Sequence, residues 1–154
     1  MKKLLASAVL LSFSIIATAQ KPDWVSLDEV IDQFANQSGE DTSKLTYIYQ
    51  RCAALQMRLS TLIEESEPEL SNAYLELTSA FSKQAAMLRI SSASDSSNES
   101  VERISSTILD VVTELNTLYL TWANNNYLMQ GSYFEADDDF HSEIILCGEV
   151  AKTL

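Results

Sequence analysis

From Val101 to Trp122 the chain reads VERISSTILDVVTELNTLYLTW, with apolar residues at alternating steps of three and four. Val101, Ile104, Ile108, Val111, Leu115, Leu118 and Trp122 form one unbroken stripe. A helix brings residues three and four apart onto one face, so the stripe predicts a long helix whose seam faces other helices. Val112 and Tyr119 widen that seam beyond a bare coiled-coil line, which favours the interior of a globular bundle over an exposed two-stranded zipper.

Four further segments carry the same signal. Ser26-Leu27-Asp28-Glu29 reads as the capped start of a short helix ending near Gly39. Its face of Leu27, Val30, Ile31 and Phe34 must dock on something larger, with Trp24 as an anchor. A second helix is expected from Ser43 to Glu65, with Leu45, Ile48, Cys52, Leu55, Leu59 and Leu62 in line and Tyr49 and Ile63 beside them. Pro68 marks the start of a third, because proline fits a first helical turn. Leu70, Tyr74, Leu77, Phe81 and Leu88 form its line, Ala73, Ala80 and Met87 the neighbouring one, and Gln84 the seam's edge. After Trp122 the pattern falters at Asn124-Asn125-Asn126, and Gly131-Ser132 closes the element. The last helix is expected to begin near Tyr133 or Phe134, with Phe140, Ile144, Cys147, Ala151 and Leu154 facing inward. The expected fold is all-α, an up-down-up-down four-helix bundle with an additional short N-terminal helix.

The first residues bear on compartment. Lys2 and Lys3 precede an apolar run from Leu4 to Ile16, and Ala17-Thr18-Ala19 places small residues where a signal peptidase reads them. The run is shorter than the roughly 20 residues a bilayer core requires. Residues 1–19 are therefore expected to be a cleaved, bacterial, Sec-type signal peptide, and the mature chain periplasmic or secreted. Residues 20–154 are long enough for one domain, with the serine-rich stretch 91–100 as a connecting loop. Losing Lys2 and Lys3 would take the formal charge from −12 to −14. Such a surface repels nucleic acid and anionic lipid, and the charges are spread widely, as expected for solubility.

The chemistry-bearing residues are few. Two cysteines in an exported chain predict a disulfide, Cys52 to Cys147, and antiparallel second and fifth helices would bring them level. No Cys-x-x-Cys redox motif and no Cys-x-x-Cys-His haem motif occurs. His141, the one histidine, lies amid acids beside the Phe140 stripe and reads as a solvated imidazole, so no haem is expected. Glu135, Asp137, Asp138, Asp139, His141 and Glu143 read as helix-start acids; a carboxylate-bridged metal site would need a second histidine-bearing helix. There is no Gly-x-Ser-x-Gly elbow, and three glycines leave no glycine-rich phosphate loop. The chain is thus expected to be no enzyme and to hold no cofactor or metal.

Two function classes remain. One is an interaction protein, an adaptor, inhibitor or assembly component, with Trp122, Tyr127, Met129, Tyr133 and Phe134 as the candidate surface. Its partner would be a protein of the cell envelope or the exterior, with no nucleic acid and no stable membrane insertion after signal cleavage. The other is a carrier with a small apolar ligand between helices.

Overall fold

The computed structural model describes residues 22–36, 41–93 and 100–154. The expected signal peptide, residues 1–19, lies outside them, as does most of the serine-rich stretch. The described residues are all helical or irregular, with five helices: α1 Leu27–Asn36, α2 Thr42–Ile63, α3 Pro68–Ser92, α4 Val101–Gln130 and α5 Asp138–Ala151. Among them no helix is long and apolar enough to cross a membrane.

Of the five helices, α2 is the most deeply enclosed. From Gln50 to Ser60 every residue of α2 except the half-buried Met57 is buried. Packing partners enclose it: α3, α4 and α1 all pack against it, and α5 is joined to it covalently. The sequence carries a physical trace of this, because Thr42–Ile63 contains no Asp or Glu in a chain with 22 acidic residues. Asp41 caps its start, its side chain accepting from the Ser43 and Lys44 amides at 3.1 and 3.3 Å. These bonds, that of the Ser43 hydroxyl first, hold the Asp41 carboxyl below its ordinary pKa.

α3 runs back along α2 on a seam of small polar residues. Ser60 meets Ser71 through their hydroxyls at 2.8 Å, and Thr78 reaches the Ala53 carbonyl at 3.3 Å. Small side chains let the two backbones approach, and each hydroxyl finds a partner inside the contact. The inward line is consequently Ser71, Thr78, Phe81 and Ala85: Phe81 faces inward as expected, while Ser71 and Thr78 take the places expected of Leu70 and Leu77. Leu70 and Met87 stand exposed, while Gln84 sits half-buried at the edge. α3 also extends through Ser92, and Ser100 caps α4 by accepting from the Arg103 amide at 3.2 Å, so the connection is shorter than the stretch 91–100.

α4 has 30 residues, about 45 Å of helix. Its buried line is Ile104, Ile108, Val112, Leu115, Tyr119, Trp122 and Asn126; Val101 and Leu118, expected in the seam, are exposed. A straight helix drifts about 20° per heptad relative to a strict 3.5-residue repeat, so a stripe drawn in heptads leaves the true contact face within three heptads. The three asparagines do not interrupt α4, because Asn126 is fully buried and donates to the Tyr133 carbonyl at 3.1 Å. The helix ends at Gly131, whose φ of 76° is the left-handed conformation glycine adopts without strain.

α5 starts at Asp138, later than expected. Asp137 is its cap, accepting from the Phe140 amide at 2.9 Å, which leaves Tyr133 and Phe134 in the connection.

Candidate functional site

Two places in the fold hold the chemistry-bearing residues: a sealed polar centre beside the disulfide, and an exposed patch at the end of α4.

At the centre, Cys52 and Cys147 form the expected disulfide, with Cα atoms 5.3 Å apart and both residues fully buried. One residue before Cys52 is Arg51, and one helical turn before Cys147 is Glu143. Their side chains are 0% and 4% exposed and form an ion pair, Arg51 Nη2 donating to Glu143 Oε1. The Tyr119 hydroxyl donates to the other Glu143 oxygen, and Arg51 Nε donates to the Tyr119 oxygen at 3.4 Å. Arg51 Nη1 donates to the Val25 carbonyl, and its guanidinium lies 4.1 Å from the centroid of the Trp24 ring. One arginine therefore ties the segment before α1 to α2, α4 and α5, and Trp24 does anchor the N-terminal helix.

Electrostatics fix the protonation of this centre. Burial alone would lower the Arg51 pKa, but the Tyr119 oxygen and the Glu143 carboxylate outweigh it and hold the guanidinium above its ordinary value. Burial first, and then the Glu143 charge, push the Tyr119 hydroxyl well above 10 against the opposing pull of Arg51. Tyr119 is consequently a neutral donor. Both Glu143 oxygens are engaged and the group is closed to solvent, so its chemistry is that of an internal brace.

An aromatic cluster surrounds the brace. Tyr119 and Trp122 stack at 6.3 Å between ring centroids, Trp122 meets Phe140 at 4.7 Å, and Trp24 meets Tyr119 edge-on at 4.9 Å. Trp122 Nε1 donates to Asp137 Oδ2 at 2.8 Å, so the cap of α5 also secures the largest side chain of the core. A second arginine, Arg58, is 6% exposed and reaches the Asn116 carbonyl at 3.3 Å; burial lowers its pKa.

The expected acidic cluster divides. Asp137 is a cap, Glu143 turns inward, and Glu135, Asp138, Asp139 and His141 are exposed. Among the described residues no group of three or more His, Cys, Asp or Glu side chains stands close enough to hold a metal ion.

The expected interaction surface divides too. Trp122 is fully buried and cannot face a partner. Tyr127 and Met129 are 50% and 42% exposed, and Leu128 between them is 80% exposed. Tyr133 stacks on Tyr127 with centroids 4.6 Å apart, and Tyr133 and Phe134 are half-buried against the core. The exposed residues are therefore Tyr127, Leu128 and Met129, with Tyr133 stacked on Tyr127 and Phe134 stacked on Phe140. Arg51 and the inward role of Glu143 went unnoticed in the sequence; the acid-free span of α2 was the signal that Arg51 lies inside. Comparison with family models, curated proteins and solved structures returns no match to this chain.

Proposed function

We propose that this chain is a non-catalytic exported protein that acts by binding another protein of the cell envelope or the exterior, as an adaptor, inhibitor or assembly component. The observation that carries the reading is the exposure of three large apolar side chains in succession, Tyr127, Leu128 and Met129, in the last turn of a long helix. Aromatic residues and methionine are enriched at interfaces, and the stacking of Tyr133 on Tyr127 lowers the entropy lost on docking. Export is supported by the buried disulfide, since such bonds persist in oxidising compartments, and by the signal-like pattern of residues 1–19. The acidic surface disfavours nucleic acid, and no stable membrane insertion follows signal cleavage in this reading. The reading takes α2 to α5 as an up-down-up-down four-helix bundle with α1 laid across it, a scaffold stiff enough to present the end of α4.

A photo-crosslinking residue at position 127 tests the proposal in the producing cell. One discrete protein adduct is expected there and none from the exposed position Glu76; equal, diffuse adducts from both positions would overturn it.

A second reading, a carrier of a small apolar ligand, is favoured by a groove of about 380 Å³ lined by Val25, Val30, Gln33, Ser43, Lys44 and Tyr47. Its volume suits a small molecule. Recovery of a stoichiometric apolar compound on organic extraction of the purified protein would place this reading first.

A further inference from the structure

The turn between α2 and α3 shapes an open cleft of about 660 Å³ lined by Glu67, Pro68, Glu69, Leu70 and Ala73. Its apolar floor faces water: Leu70 is 41% exposed, and Pro68 and Ala73 are exposed as well. Glu67 and Glu69 of its lining are exposed carboxylates, and Glu64 and Glu65 are exposed just before them in the chain. Helix stability accounts for only part of this charge, since Glu69 alone lies in the first turn of α3, where the positive end of the dipole favours a carboxylate. Glu64 and Glu65 follow the last residue of α2, where the negative end of the helix dipole repels carboxylates, and α2 has no basic residue in its last turn. Glu67 occupies the cap position of α3 without a side-chain cap bond.

We propose that this cleft docks a basic amphipathic segment of a partner protein. An apolar side chain of that segment covers Pro68, Leu70 and Ala73, while its lysines or arginines meet these glutamates. Charge complementarity commits the cleft to a cationic occupant, because an apolar ligand would gain nothing from the two carboxylates in its lining or from the two that precede them in the chain. An anionic lipid or nucleic acid would be repelled by them. A bare divalent ion is a poor fit to side chains that do not converge. The inference rests on the reading of the protein as an interaction module, and it assigns a second surface with its own chemistry.

The test titrates the full chain, followed by NMR, with a short helical peptide bearing leucines on one face and lysines on the other. Amide shifts are expected to cluster at residues 64–73. Leu70→Ser, and separately Glu65→Gln with Glu67→Gln and Glu69→Gln, are each expected to weaken the peptide about tenfold. All four sites are exposed, so an unchanged melting curve shows that each variant is folded. Shifts scattered over the surface, an equal response to a peptide of lysines without leucines, or the same response to calcium chloride alone would each overturn the proposal. A failed titration leaves crosslinking at position 127 untouched, so the two readings fall separately.

Discussion

Arg51 and Glu143, separated by 92 positions in the chain, meet inside the protein as a hydrogen-bonded ion pair. Removing one partner of a buried pair strands the other charge, which costs about 3–5 kcal/mol, a large share of a small domain's stability. Arg51→Met is therefore expected to destabilise strongly in urea unfolding. Arg51→Met with Glu143→Leu is expected to recover much of that loss. A double variant no more stable than the single one would show that the pair does more than compensate two buried charges.

Tyr119 gives the protein an alkaline limit. Its pKa is raised well above 10 in the folded state and is near 10 when unfolded. Below pH 10 both states hold the proton and the stability is fully present. As pH rises from 10 toward the folded value, only the unfolded state releases it, and stability falls by about 1.4 kcal/mol per pH unit. Unfolding curves between pH 9 and 11 are expected to show the fall setting in near pH 10, and Tyr119→Phe to reduce it. An equal slope in the variant would assign the alkaline limit to another group.

The disulfide closes a loop with a sequence separation of 95, worth about 4–5 kcal/mol on the chain-entropy account. Thiol labelling of denatured, unreduced protein is expected to find no free cysteine. Cys52→Ala with Cys147→Ala is expected to lower the melting temperature markedly; reactive thiols in exported material would contradict the pairing.

Helix types and the cysteine pair were legible because they depend on spacing alone: apolar residues at steps of three and four, and an even cysteine count. The most deeply enclosed helix was not legible from stripes. A stripe measures one apolar face, whereas α2 is enclosed on more than one side and buries alanines, glutamines, arginines and a serine of its own, which do not stand out as an apolar stripe. The exact seams failed for a related reason. Ser71 and Thr78 are polar by composition yet fit a close helix contact, and the heptad approximation drifts along α4. Glu143 looked like one of a run of helix-start acids, and its buried contacts with Arg51 and Tyr119 separate it from the exposed Asp138 and Asp139.

Arg58 stands in contrast to Arg51, held by one long bond to a carbonyl and no carboxylate among the described residues. A desolvated cation with such thin compensation lowers stability. Arg58→Met keeps the stem's packing and is expected to raise stability by about 1 kcal/mol, measured by urea unfolding. A loss instead of a gain would mean that the guanidinium is better paired than its one bond implies.

In the proposed reading, the exposed residues at the end of α4 carry the binding of a partner. Tyr127 and Met129 are exposed enough that replacing both with serine removes little buried area. In Tyr127→Ser with Met129→Ser, measured together with the parent for melting temperature and for recovery of the position-specific partner by co-purification, melting is expected to change by a few degrees at most while the partner is lost. Unchanged recovery of that partner by the folded variant would contradict the account.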